Sequence, residues 1–156
     1  MKQVISIVVP CYNEEEALPV FYEEIIPVMD GLISTNQIHD FELIFVDDGS
    51  KDKTWRIIKE LNEFDKTFYG VKLSRNKGHQ NAVVAGISYS VNHADMIITI
   101  DADLQDPPHL IPKMIEKIEI SGNDYKVEEP FKKYTEKRIG KLDRYLPRGA
   151  KKDVVM

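Results

Sequence analysis

Four short apolar runs punctuate the first hundred residues: VISIVV (4–9), FELIFV (41–46), YGVKLS (69–74) and DMIITI (95–100). Runs that stay apolar, instead of alternating with polar residues, suit strands buried on both faces. Amphipathic segments lie between them. Leu18, Phe21, Ile25, Val28 and Leu32 recur at spacings of three and four, the stripe of one helix. Residues 52–64 predict a second helix with Trp55, Ile58 and Leu61 on one side. Residues 78–91, rich in Ala and Gly, predict a third that packs closely on a sheet, and 108–118 a fourth. This alternation predicts an α/β fold: a mainly parallel sheet, helices on both faces and right-handed crossovers.

In such sheets ligands bind beyond the carboxyl ends of the strands. The polar clusters fall there: PCYNEE, DDGSKDKT, SRNKGHQN and DADLQDPP follow the four strands in turn. Four separate loops therefore converge on one rim.

Bulk composition narrows the function classes. The 156 residues are 42% hydrophobic and 30% charged, as in a globular domain. A single cysteine, Cys11, excludes a disulfide framework and fits a reducing, cytoplasmic setting. The apolar run near the start is six residues and acids follow at once, which reads as a strand and not a signal peptide. No run approaches the roughly 20 apolar residues of a membrane span. The net charge of -5 is uneven: residues 126–156 hold ten Lys or Arg against five Asp or Glu. Such asymmetry marks either a solvated basic helix or a segment with a different partner.

Each cluster has its own chemistry. Asp47 and Asp48 leave a buried strand into a Gly-Ser turn, where two carboxylates need donors. A base edge or a ribose hydroxyl would serve. Ser50 or Asp52 is placed to cap the next helix. Tyr12 offers a ring on which a base could stack, whereas Asn13 to Glu15 equally suit the acidic first turn of a helix. Arg75, Lys77 and His79 supply cations opposite the acids, and Gly78 precedes a helix N-terminus, a natural anion site. They also suit surface salt bridges to the acidic loops. In DADLQDPP, an extended chain would turn Asp101, Asp103 and Gln105 to one side. Hard oxygen donors of this kind select Mg²⁺ or Mn²⁺ over zinc. Asp106 reads as the cap of the helix that Pro107 and Pro108 begin.

In this order and spacing, VVPCYNEE, VDDGSKDKT, SRNKGHQNAVVAG and IDADLQDPP closely resemble family 2 glycosyltransferases of the GT-A fold, over roughly residues 3–118. DADLQDPP looks most like the polyprenyl-phosphate hexosyltransferases of the dolichol-phosphate mannose synthase type. The resemblance implies a Rossmann-like nucleotide-sugar-binding half over residues 1–120. Pro10, Tyr12, Glu14, Asp47, Asp48, Arg75, Lys77 and Asp101 would contact the nucleotide sugar. Among them, Tyr12 and Glu14 flank the base and Asp48 meets its edge. Asp103 and Gln105 would hold the metal, and Asp101 with Asp103 would carry the catalytic function. It further implies a UDP-hexose donor in preference to GDP-mannose, a polyprenyl phosphate acceptor, and work at the cytoplasmic membrane face. Self-association into a homo-oligomer stays open.

Residues 121–156 depart from that pattern. Family members continue into an acceptor-binding half and commonly into membrane helices, so the expectation is a truncated or fused product that binds a donor. The stretch 128–147 predicts a basic amphipathic helix and KDVVM a strand. EKRIGKLDRYLP is similar to the first helix of ribosome hibernation promoting factors, which adds a ribosome- or RNA-associated reading. A dinucleotide oxidoreductase is disfavoured because no G-x-G-x-x-G follows the first strand. A phosphoacceptor signalling domain would leave DADLQDPP without a role.

Overall fold

The computed structural model describes residues 3–122 and 153–155. Four parallel strands form its centre: β1 (Val4–Cys11), β2 (Asp40–Asp47), β3 (Phe68–Lys72) and β4 (Met96–Thr99). Helices α1 (Ala17–Ser34), α2 (Thr54–Phe64) and α3 (His79–Ser90) connect them. A 3-10 turn, Pro108–Leu110, then leads to α4 (Ile111–Gly122), and β5 (Asp153–Val155) comes last. The sheet order is β4-β1-β2-β3-β5, with β5 antiparallel to β3. The chain divides into two compact units. The first runs to His109 and includes β5; the second begins at Leu110. The predicted helix over 128–147 lies outside the described residues, as does nearly all of the ribosome-factor-like segment. The strand predicted in KDVVM is β5.

The strands form where the apolar runs predict. β1 and β2 are buried almost throughout, as continuous apolar sequence requires of inner strands. A buried polar pair inside the sheet is Ser6 and Glu42, in register across β1 and β2. The Ser6 hydroxyl donates to Glu42, whose carboxylate also meets His93 Nε2 at 2.6 Å.

Chain direction decides which face each helix covers. The first two crossovers step one way, from β1 to β2 to β3. The third returns past β1 to β4, so right-handed connections send α3 to the opposite face. The packing agrees. Phe21 of α1 meets Phe45 edge-on, 6.1 Å between ring centroids. On the other face Ala82 of α3 joins Val8, Ile44, Val46 and Val71 in one buried cluster. A Cβ at Gly86 would stand 2.3 Å from a Val8 methyl, so the small residues of α3 do set its close approach to the sheet.

Two helix details differ from the sequence pattern. The buried stripe of α1 is Leu18, Phe21, Ile25, Met29 and Leu32. Val28 is half-buried because it lies at the edge of that stripe. On α2 the buried positions are Thr54, Ile58 and Asn62. Asn62 is inside, with Trp55 and Leu61 half-buried at its margins, because its amide donates to the carbonyl of Phe68 and ties the end of α2 to the start of β3.

Candidate functional site

The strand order reverses between β1 and β4, and a pocket of about 300 Å³ opens at their carboxyl ends. This is where an open parallel sheet leaves a crevice for ligands. Pro10 and Cys11 end β1 and line it, followed by Tyr12 and Glu14. Asp48 enters from β2, Asn76 and Gly78 from the loop after β3. His79 and Ala82 come from the first turn of α3, and Asp101 to Asp103 from the loop after β4. All lie in the first compact unit.

The loops after β1 and β2 are stitched together. Asn13, with φ of 54°, donates its amide to Ser50 Oγ at 2.9 Å, and its side-chain oxygen accepts the Lys51 amide at 2.8 Å. Glu14 N–H donates to Thr54 Oγ1 at 2.7 Å and Glu15 N–H to Asp52 at 3.2 Å. Glu15 accepts the Lys53 amide in return, at 3.0 Å. Of the two capping candidates, Asp52 accepts the amide of Thr54, the first residue of α2, at 2.9 Å. Ser50 serves Asn13 instead. Burial pushes the Asp52 carboxyl up, but hydrogen bonds from Thr54 and Glu15 outweigh it and hold the group below its ordinary value.

The Asp pair divides. Asp47 is fully buried and outside the pocket lining. Its Oδ1 accepts the Ser50 amide at 3.0 Å, and Lys72 Nζ stands 4.0 Å from Oδ2. Its Oδ1 thus shapes the turn, its Oδ2 has no hydrogen-bond partner among the described residues, and the residue lies behind the pocket lining. Asp48 does line the pocket, yet its two oxygens accept the amides of Lys77 and Gly78, at 2.6 and 2.9 Å.

The expected phosphate-side cations are also redistributed. Arg75 is exposed, and neither its side chain nor that of Lys77 is among the lining groups; Asn76, Gly78 and His79 take that position. His79 Nε2 stands 3.7 Å from Asp101 Oδ1. Gln105 is likewise exposed and outside the pocket. The extended geometry that would align it with Asp101 and Asp103 does not form. Leu104 adopts φ of 62°, and Asp103 Oδ1 accepts the Gln105 amide at 3.1 Å, closing a turn. Asp101 and Asp103 remain in the pocket, both exposed.

Burial and neighbouring carboxylates both act on the titratable groups of the pocket. Burial raises the Glu14 carboxyl, and the charges of Asp103, Asp52 and Asp101 raise it further. The Cys11 thiol is pushed well up by burial, then by Glu14, Asp47 and Asp101. Burial is the larger cause of each shift, and the neighbouring carboxylates add to it. No cluster of three His, Cys, Asp or Glu side chains forms a metal centre among the described residues. One or two exposed carboxylates fit Mg²⁺ or Mn²⁺, which take their remaining ligands from substrate phosphates and water. Sequence reasoning missed Cys11, Asn76, Ala82 and Ala102 as lining groups. Their one signal was membership of, or adjacency to, the strand-end clusters.

Comparison with known proteins agrees with this geometry. The model of the family described as glycosyl transferase family 2 matches residues 6–152. The chain is 46% identical over 110 residues to an uncharacterized glycosyltransferase, YkoT, of Bacillus subtilis (strain 168), covering 68% of this chain and 33% of that protein. It is 40% identical over 113 residues to a bactoprenol glucosyl transferase of Shigella phage SfX, covering 72% and 35%. The fold matches the mannosyltransferase PcManGT of Pyrobaculum calidifontis, solved with GDP-Man and Mn²⁺, at a TM-score of 0.56 and 18% identity, over 76% of this chain and 33% of that one. The chain thus spans about a third of the length of these relatives.

Proposed function

The chain belongs to glycosyl transferase family 2, and on that premise we propose that its pocket binds a nucleotide-diphosphate sugar for hexose transfer to a polyprenyl phosphate. The observation that carries the reading is the meeting of Tyr12, Glu14, Asp101 and Asp103 in one pocket at the point where the strand order reverses. The Tyr12 ring, 41% exposed, is free to stack on a planar base. Asp103 would hold Mg²⁺ or Mn²⁺, and Asp101 would face the ribose or sugar-phosphate. When bound, the cation supplies the charge that stabilises a departing nucleoside diphosphate. Asn76 and His79 border the same space from the opposite wall, and the α3 N-terminus adds its positive dipole end.

A polyprenyl phosphate is already an anion, so attack on the sugar needs no strong general base. A UDP-hexose donor is preferred on the resemblance to the polyprenyl-phosphate hexosyltransferases, and a relative's name, bactoprenol glucosyl transferase, supports a hexose. GDP-mannose is the other donor to test, given the ligand of PcManGT. The acceptor would bring the site to the cytoplasmic face of a membrane. No helix among the described residues is long and apolar enough to cross one.

Calorimetric titration with UDP-glucose and GDP-mannose, with and without Mn²⁺, tests the reading. Metal-dependent binding of one donor is expected. Absence of metal-dependent binding by every nucleotide sugar tried would overturn it. Binding without transfer to polyprenyl phosphate would reduce the chain to a donor-binding unit.

A further inference from the structure

We propose that His93 and Asp95 form a register clamp at the foot of β4, and so act as positioning residues for the Asp101 and Asp103 carboxylates at its opposite end. The proposal rests on the nucleotide-sugar reading of the pocket. β4 has 4 residues and, among the described residues, pairs with β1 alone. Its apolar pattern does not fix its register. Met96, Ile98 and Ile100 are all buried. A slip of two residues would keep them on one face and exchange one apolar side chain for another. At about 3.3 Å per residue, that slip would carry the following loop about 7 Å along the sheet. Polar contacts, not apolar burial, must therefore set where the loop emerges.

Two ties at the amino end of the sheet do this, and each needs one particular residue in place. In the first, Asp95 and Val4 exchange two bonds. The Asp95 amide donates to the Val4 carbonyl at 2.9 Å, and the Val4 amide donates to Asp95 Oδ2 at 2.8 Å. In the second, His93 Nε2 lies 2.6 Å from Glu42 Oε1. Glu42 stands on β2, across β1 from β4, and the Ser6 hydroxyl of β1 donates to the same oxygen. The chain entering β4 is thus tied to both strands beyond it. The Tyr89 ring meets the His93 ring edge-on, 5.3 Å between centroids, and restricts its rotation. Glu42 is 9% exposed, so a slip that removed His93 would leave a nearly buried carboxylate short of a donor, at a cost. From this clamp β4 runs to Ile100, whose amide donates to the Val8 carbonyl at 3.1 Å, and Asp101 follows directly. None of the clamp side chains, Ser6, Glu42, His93 and Asp95, lines the pocket. Their effect on it passes along the strand.

Amide hydrogen exchange on the full chain tests the clamp, with His93→Ala, His93→Gln and Asp95→Ala. Glutamine can donate to the same Glu42 oxygen; alanine cannot. In both alanine variants, exchange at the Ile100 amide, at the far end of β4, is expected to speed up about tenfold. The Leu73 amide, bonded to the Asp47 carbonyl at 2.9 Å just past β3, is the control and should keep its wild-type rate. Affinity for UDP or GDP, whichever the wild type binds with Mn²⁺, should weaken in the alanine variants, and His93→Gln should restore both affinity and protection. Unchanged exchange at Ile100 in either alanine variant would overturn the proposal, since the contact would then be local. So would faster exchange at Leu73, because the residue would then hold the whole fold and not the strand. A loosened Ile100 with unchanged nucleotide affinity, or a His93→Gln variant no better than alanine, would remove the positioning role. If the wild type binds neither nucleotide with Mn²⁺, the nucleotide-sugar reading falls instead, and exchange at Ile100 still decides whether the clamp sets the strand.

Discussion

The two sides of the pocket are built differently. On the β1–β2–β3 side, loops 30 to 40 residues apart in sequence hold one another through at least six bonds to backbone amides, among them Asn13 with Ser50, Asn13 with Lys51 and Asp48 with Lys77 and Gly78. On the β4 side, the side chains of the Asp101–Asp106 loop make, among the described residues, one short contact, Asp103 accepting the amide two residues on, and one long one, His79 to Asp101. The first side is preorganised; its loop amides are already bonded within the protein. The second keeps its carboxylates exposed and mutually repelling. A site with one wall of bonded amides and one wall of exposed carboxylates is suited to a ligand that arrives with a cation.

Asp103→Ala breaks the charged wall and carries the largest expected effect. Transition-state charge stabilisation of this kind is worth about 10²–10³ in rate. Mn²⁺-dependent donor binding, followed by calorimetry, should vanish with it. The fold should not notice: exposed loop substitutions stay within about 0.5 kcal/mol, so the urea midpoint should match the wild type. A large loss of stability would show that this wall, too, is structurally bound. Gly49→Ala does the reverse and breaks the finished wall. The left-handed φ of 73° alone costs an alanine roughly 1–3 kcal/mol, and the new methyl meets the Asn76 and Arg75 backbone. A urea midpoint near wild type would mean that the loops are not pressed together.

The sequence showed this division only in part, and the reason is physical. The strands were readable because burial on both faces leaves an uninterrupted apolar run, as in VISIVV and FELIFV. The rim was readable because parallel strands deliver their following loops to one edge. Which member of each loop faces inward was not, since that depends on bonds between distant loops. Asp47 and Asp48 look alike as neighbours, yet one is taken up by the Ser50 amide and the other by two amides some thirty residues on. Arg75 and Lys77 carry the charge of their loop, yet Asn76, Gly78 and His79 are the members that line the pocket. The alignment of Gln105 with Asp101 and Asp103 assumed an extended chain; left-handed Leu104 turns the chain there instead.

Two smaller tests set the sides against each other through pH. Asp52 belongs to the finished wall, and its bonds to Thr54 and Glu15 lower its folded pKa beneath the ordinary 3.8. A depressed acid contributes stability that is present above its unfolded value and lost as pH falls through the folded one. Asp52→Asn should therefore cost about 1 kcal/mol at neutral pH, the typical worth of such a capping bond. The gap to wild type should narrow below pH 3.8. Glu14 faces the charged wall and has the opposite sign. Its folded pKa is raised above 4.5 by burial and by Asp103, Asp52 and Asp101, so its ionised form opposes folding and the penalty is relieved as pH falls through the raised value. Glu14→Gln should stabilise the metal-free protein at pH 7 by about 0.5 kcal/mol, the scale of partly exposed charge interactions. The gain should disappear below pH 4.5, where the wild-type carboxyl is protonated as well. Thermal melts at the two pH values measure both. If Glu14→Gln instead destabilises the metal-free protein at neutral pH, the β4 wall already holds its countercharge, and the contrast between the two sides is lost.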